Sequence, residues 1–323
     1  MKSIALLSLL LFILPVWMVD LKKDKLVVYA SLPYGCDFDG DKLGDLAVWN
    51  AKNNTLYFHF SSTDKFLEKK FFEGEIQYEP VFADYDGDSK TDFVFFQPDT
   101  GQWIFNLSTN PDTIVKAFLG NVGDLPIPID INGKKRYSPA IWRPGAGIWL
   151  LPMIEKYNDS KPRIHYQGNN ADIPITTDFD GDGKSDLLIW RQEAGYWYID
   201  KSSTEYDPNR GAIINQGAEW DIPVPNDYNG DGKSDLTVFK PQDQTWHFIF
   251  NQNTEEKTIK FGEKGDIPTS CDLNGDGVPE LITWNIEKHI WKILNLKTQE
   301  TQTFTWKVPN ECLPAISVLQ KFE

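Results

Sequence analysis

The sequence predicts an all-β fold, a β-propeller of four-stranded antiparallel blades. Three observations predict it. An aspartate opens a short acidic loop six times, at Asp37, Asp84, Asp130, Asp178, Asp227 and Asp272, every 45–49 residues. Each stands four residues after a proline: Pro33, Pro80, Pro126, Pro174, Pro223 and Pro268. Each loop runs into a strand that ends in an aromatic residue: Trp49, Phe96, Trp142, Trp190, Phe239 and Trp284. Self-similarity at a fixed period of this length marks a repeat architecture.

Four strands fit each repeat. The first follows the proline and leads into the acidic loop. The second (LAVW, FVFF, LLIW, LTVF) is apolar on both faces, as expected where a sheet packs between two neighbours. A hairpin follows. Seven residues past the aromatic, the third strand carries Leu56, Trp103, Trp149, Trp197, Trp246 or Trp291. A polar turn, a fourth strand and a Gly-Asp connector complete the unit (Gly120–Asp124, Gly168–Asp172, Gly217–Asp221, Gly262–Asp266). Four short antiparallel strands in this length make a propeller blade.

The two ends contain more. Leu313–Val318 reads as the first strand of another blade without its acidic loop. Trp17–Asp20 aligns with Trp103–Asn106 and Trp197–Asp200, and Lys25–Ala30 aligns with the fourth strands. The expectation is a seven-bladed propeller whose seventh blade is split between the N- and C-termini, which leaves no open edge. Residues 17–323 then form a single domain. Residues 1–16 read as a signal peptide or N-terminal anchor, because Met1-Lys2 precede an apolar run from Ile4 to Met18. An Ala-x-Ala cleavage signal is missing. The alternative makes Ile4–Leu10 a strand of the seventh blade. No other stretch is long and apolar enough to span a membrane.

Five loops share one pattern, an acid or Asn at positions 1, 3 and 5 and an acid at 9. They are Asp37-Asp39-Asp41-Asp45, Asp84-Asp86-Asp88-Asp92, Asp178-Asp180-Asp182-Asp186, Asp227-Asn229-Asp231-Asp235 and Asp272-Asn274-Asp276-Glu280. Calcium takes six to eight oxygen ligands, and alternate side chains of a tight loop converge on one point. The carbonyl at position 7 (Leu43, Lys90, Lys184, Lys233 or Val278) offers another oxygen, and glycine at position 4 permits the bend. Nitrogen and sulfur ligands are missing, which argues against zinc. The pattern is not an EF-hand, since position 12 holds Val48, Phe95, Ile189, Val238 or Thr283 rather than Glu. About five calcium sites are expected. The loop at Asp130 carries Lys134 at position 5 and Ser138 at position 9, so it is expected to be empty.

These loops hold 18 of the 47 acids in a chain of net charge −15, so much of the acidity is ligand. An acidic domain without a basic stripe is a poor nucleic-acid binder. Cys36, Cys271 and Cys312 are too few for a disulfide framework. Cys36 and Cys271 share a repeat position; they are either free buried thiols, or two of the three pair.

The stretch Asp-Phe-Asp-Gly-Asp-Gly-Lys-Ser-Asp-Leu (178–187), followed by Ile189-Trp190-Arg191 and Tyr196-Trp197-Tyr198-Ile199, resembles the FG-GAP/VCBS-type repeat. Such repeats build the seven-bladed propeller of the integrin α-subunit N-terminus and occur in many secreted bacterial proteins and some lectins. The resemblance covers roughly residues 17–320. It implies calcium at the five loops and says little about the ligand.

The expected function is a non-catalytic, adhesion- or lectin-like scaffold that is secreted, periplasmic or at the cell surface. It would be monomeric and bind a protein or glycan on the face opposite the calcium loops. Candidate contacts there are Arg143, Arg191 and Lys240, at equivalent hairpin positions, with Tyr78 and Trp220. The alternatives are a structural subunit of a surface assembly or a polysaccharide-active enzyme. The four histidines form no recognisable catalytic motif, and there is no nucleophile elbow or phosphate loop. Asn53, Asn106 and Asn158 begin glycosylation triplets.

Overall fold

A computed structural model describes residues 25–31, 36–74, 76–152, 162–250, 256–310, 312–315 and 317–322. Six four-stranded antiparallel sheets are present among the described residues, each a meander from inner to outer strand. Blade 2 runs Glu79–Pro80, Phe93–Gln97, Gln102–Asn106, Ile114–Phe118; blade 3 runs Leu125–Ile129, Ser138–Arg143, Ile148–Leu151, Arg163–Tyr166. Blade 4 runs Asp172–Thr177, Asp186–Arg191, Tyr196–Asp200, Ala212–Asn215; blade 5 runs Ile222–Pro223, Leu236–Lys240, Thr245–Ile249, Glu256–Lys260. Blade 6 runs Asp266–Cys271, Glu280–Asn285, Ile290–Leu294, Thr301–Thr305.

Blade 1 is assembled from both ends. Its second to fourth strands are Leu46–Asn50, Thr55–Phe60 and Lys65–Lys70, and its inner strand is Leu313–Pro314. Pro314 faces Val48, as Pro80 faces Phe95, Pro174 faces Ile189 and Pro268 faces Thr283. The repeat proline of blade 1 is therefore Pro314, not Pro33. A strand bordering the channel has no partner on its inner side, so a residue without N–H is tolerated there.

The expectation of a seventh blade is thus corrected to six. The fragment read as the start of a new blade completes the first one. Lys25–Ser31 is not an outer strand either. It pairs antiparallel with Ser317–Phe322 and lies against the inner strands of blades 4, 5 and 6, in the central channel. A short alternating segment suits both places, so its pattern did not distinguish them. The Trp17–Asp20 alignment and the signal or anchor segment lie outside the described residues.

The core sits between blades. The second strands of blades 1, 4 and 6 are buried or nearly so along their length, while outer strands are largely exposed. Trp190 packs on Trp197 and Trp284 on Trp291, with ring centroids 4.9 and 4.8 Å apart, and Phe96–Trp103 and Phe239–Trp246 repeat the pair. The periodic tryptophans are thus packing residues. The indole N–H groups of Trp190 and Trp291 are buried without a hydrogen-bond partner, whereas Trp149 and Trp197 donate to Gln167 Oε1 and Gln216 Oε1. Those glutamines in turn donate to carbonyls of the next blade, Gln167 to Leu187 and Tyr198, Gln216 to Leu236 and His247.

A disulfide joins Cys36 to Cys271, which links blade 1 to the inner strand of blade 6, while Cys312 is buried, outside any disulfide, and its sulfur accepts from Asn50 Nδ2. Gly44 lies under this bridge, where any Cβ would overlap Cys271 Sγ. Of the glycosylation triplets, Asn106 is buried and donates to the Pro111 carbonyl, Asn53 is exposed, and Asn158 lies outside the described residues.

Candidate metal centre: the ring of acidic loops

Five of the six loops follow inner strands, the one at Asp37 comes after the channel strand Lys25–Ser31, and all six line one face. In each of the five acidic loops the position-1 carboxylate is held by backbone N–H groups at positions 4 and 6. Asp84 accepts from Gly87 at 2.6 Å and Ser89 at 2.7 Å; Asp37, Asp178, Asp227 and Asp272 repeat this. The position-5 carboxylates of Asp41, Asp88, Asp182, Asp231 and Asp276 accept from the N–H of Leu43, Lys90, Lys184, Lys233 and Val278. The position-9 acids Asp45, Asp92, Asp186, Asp235 and Glu280 accept from the N–H at position 2 and are buried.

Neighbouring loops are stitched together. The N–H at position 8 donates to the position-1 carbonyl of the preceding loop: Thr91 to Asp37, Tyr137 to Asp84, Ser185 to Asp130, Ser234 to Asp178, and Gly44 to Asp272 across the seam. The sixth position 8 is Pro279, which has no N–H. The position-7 side chain of each loop covers the position-4 glycine before it, from Lys90 over Gly40 round to Leu43 over Gly275. Six loops close this circle.

The carboxylates converge in three loops. Oxygens of Asp37, Asp39 and Asp41, of Asp84, Asp86 and Asp92, and of Asp178, Asp180 and Asp186 lie within 4.8 Å of one another. Hydroxyls from the turn between third and fourth strands approach the same loops. Ser108 and Thr109 donate to Asp88 and Asp86 at 2.6 and 2.5 Å, and Ser202 and Ser203 to Asp182 and Asp180. Ser62 bonds Asp41 likewise. Sequence reading missed these hydroxyl pairs. Their signal is a Ser-Ser or Ser-Thr pair five residues after Leu56, Trp103 and Trp197.

The loops at Asp227 and Asp272 differ. Their position-3 Asn229 and Asn274 turn an amide N–H toward Asp235 and Glu280, at 3.3 and 2.6 Å. Lys297 pairs with Asp276 at 3.0 Å. The loop at Asp130 keeps the backbone nest, with Gly133 and Lys135 N–H on the Asp130 carboxylate at 2.9 and 2.7 Å, but contributes no acid at positions 3, 5 or 9.

The donor set suits a hard cation. The acids of each loop offer only oxygen, and several carboxylates crowd together, with lysine partners at Asp182 and Asp276. Burial pushes Asp45 and Asp186 up to about 7, against the pull of their backbone hydrogen bonds. Burial likewise raises Asp92, Asp178 and Glu280. A cation among these oxygens removes that penalty.

The opposite face carries the other candidate residues. Arg143 makes a fork pair with Asp124, at 2.7 Å through each of two nitrogens, and Arg191 the same with Asp172 at 2.8 Å, while also donating to the Tyr198 hydroxyl. Each acid is the buried aspartate of a Gly-Asp connector. The structure therefore commits two cations of the arc to carboxylates within their own blades. Lys240 acts by charge on the corresponding Asp221. Tyr78 stacks on Phe72 at 3.9 Å, and Trp220 is exposed with φ of 73°. The histidines are dispersed over four blades: His59 pairs with Asp64, His165 with Asp200, His247 meets Thr245, and His289 stacks on Trp284.

Fold and loops together define a β-propeller with a ring of acidic inter-strand loops. The FG-GAP-like repeat family matches residues 178–238 and 227–283, so FG-GAP-like repeats occupy that part of a chain folded as a β-propeller. No curated protein shows significant similarity to the sequence. Among solved structures, a lectin from Agrocybe aegerita that recognises non-reducing terminal N-acetylglucosamine is similar at 13% identity and TM-score 0.54, over 88% of this chain and 81% of that one. A catalytically inactive virginiamycin B lyase from Staphylococcus aureus, bound to quinupristin, is similar at 12% identity and TM-score 0.53, over 88% and 89%. A streptogramin B lyase is similar at 11% identity and TM-score 0.53, over 92% and 97%. These likenesses are of fold, and they span binding proteins and enzymes alike.

Proposed function

We propose that the protein is an exported, calcium-binding and non-catalytic scaffold, which engages its partner through the face opposite the acidic loops. The observation that carries this is the convergence of three carboxylates in each of three loops, held in place by backbone N–H groups. Asp37, Asp39, Asp41, Asp45 and their counterparts would hold the ion, which supplies charge neutralisation rather than chemistry. The Cys36–Cys271 bridge supports an oxidising compartment, where millimolar calcium suits weak extracellular-type sites.

Calcium titration followed by calorimetry, with melting measured in calcium and in EDTA, tests this reading. With dissociation constants of about 10⁻⁴–10⁻³ M, each site adds about 0.4–1.4 kcal/mol at millimolar calcium. The melting temperature should fall in EDTA. Equal melting in both solutions, with no heat of binding, refutes the reading.

A further inference from the structure

The molecule is polarised. The acidic loops occupy one face; on the other, large apolar side chains stand at the tips of connectors and strand ends. Ile76, Val122 and Trp220 lie on three of the outer-to-inner connectors, and Phe118 and Tyr166 end the outer strands of blades 2 and 3. Val122, Phe118 and Tyr166 are 75%, 71% and 69% exposed. They are spread around a rim rather than gathered into a pocket, and they share the end of the molecule from which the channel strand enters.

That entry point is fixed by the chain path. Leu313–Pro314 runs toward the acidic loops, as every inner strand does, and Ala315 continues its pairing by donating to Ala47 O. Ser317 therefore begins at the loop face. Ser31 pairs with Ser317 and Lys25 with Phe322. The ribbon runs back along the inner strands, so Lys25 stands at the opposite face. The sequence ahead of Lys25 contains the apolar run from Ile4 to Met18, then Lys22 and Lys23.

We propose that the face opposite the acidic loops rests on a lipid bilayer, with the rim of Ile76, Phe118, Val122, Tyr166 and Trp220 entering the headgroup region. Exposed aromatic and aliphatic side chains at the connectors and strand ends of one face suit an interface, where apolar surface is buried while the scaffold stays in water. The 18 loop carboxylates stand at the other face, while exposed acids beside the rim, Glu73, Asp99, Glu193 and Glu219 among them, favour a zwitterionic over an anionic headgroup layer. This names what the partner face of the preceding reading meets, and it rests on that reading only for the choice of face.

Flotation of the full chain with phosphatidylcholine vesicles, with and without phosphatidylglycerol, tests it. The combined variant Phe118→Ser, Val122→Ser, Trp220→Ser should lose vesicle partition on the order of a hundredfold. Ile213→Ser, which removes an equally exposed side chain from mid-strand on the outer edge of blade 4, should float as the parent does. Calcium-dependent melting, read in parallel, should be the same for all three proteins; its loss in the parent would count against the calcium reading alone. Undiminished flotation of the triple variant overturns the proposal, because the apolar N-terminal run then suffices. So does a parent chain that stays off vesicles, an equal loss in Ile213→Ser, or a triple variant that still floats but no longer captures a protein or glycan.

Discussion

Asp221 lies at the connector position where Asp124 and Asp172 find arginine forks, yet its partner is Lys240. It is buried, and burial pushes its carboxyl up to about 6 despite the Ala218 N–H and the lysine charge. Unfolded, it ionises near 3.8. Between those values the folded protein keeps a proton that the unfolded chain has lost, so stability falls as pH rises from about 4 to about 6 and is level above. Lys240→Arg offers the planar fork seen at Arg143 and Arg191. It should stabilise by about 1 kcal/mol at pH 7–8, discounted for the partial exposure of such arginines, and by little at pH 4, where folded Asp221 is protonated and offers the fork no carboxylate. Urea unfolding at the two pH values measures it; an equal gain at both would mean that Asp221 is not the responding group. At this scale the sequence was only partly legible. The arginines stood out as an equivalent series, but their partners lie 19 residues upstream, across a strand pair. The series reads as an open basic arc until the register places Asp172 opposite Arg191.

The acidic loop is the element whose sequence said most. The positions of acids and glycine fix both the backbone nest and the donor oxygens, because short side chains at alternate positions of a tight turn have few directions to take. The loop at Asp130 separates these two properties. It folds as the others do, with Asp130 gripped by the same N–H groups, while Lys134 and Ser138 replace the donors at positions 5 and 9. Lys134→Asp with Ser138→Asp should therefore create a further cation site on an existing frame, since Asn also stands at position 3 of the loops at Asp227 and Asp272. Calorimetric titration should show one more calcium per chain than the parent binds. An unchanged stoichiometry would mean that more than donor identity decides occupancy. What the pattern hid was the contribution from outside the loop. The Ser-Thr pair at 108–109 sits some twenty residues after its aspartates and meets them only because the third strand returns to the same face.

The whole ring depends on its seam. Blades 2 to 6 each fold from a continuous stretch, so their contacts are local and their repeats readable. Blade 1 needs the C-terminal segment, and how a ring closes is a matter of long-range pairing that a 47-residue period does not encode; hence the count of seven where the structure has six. Among the contacts that hold the seam are Leu313–Pro314 beside Leu46–Asn50, the Gly44 N–H on the Asp272 carbonyl, and the Cys36–Cys271 bridge. They are unequal. Cys36→Ser removes only a cross-link and should cost about 2–5 kcal/mol, with the inner strand still paired. Ending the chain before Leu313 strips the inner edge from a strand whose five residues are all buried, Leu46, Ala47, Val48, Trp49 and Asn50, and exposes an apolar edge ready to pair with another molecule. It also removes the pairing partner of Lys25–Ser31 in the channel. The truncated chain should therefore lose more stability than Cys36→Ser and should self-associate, which urea unfolding and light scattering would report. A truncated protein that stays monomeric and unfolds at the parental urea concentration would show that the ring closes without its C-terminal strand.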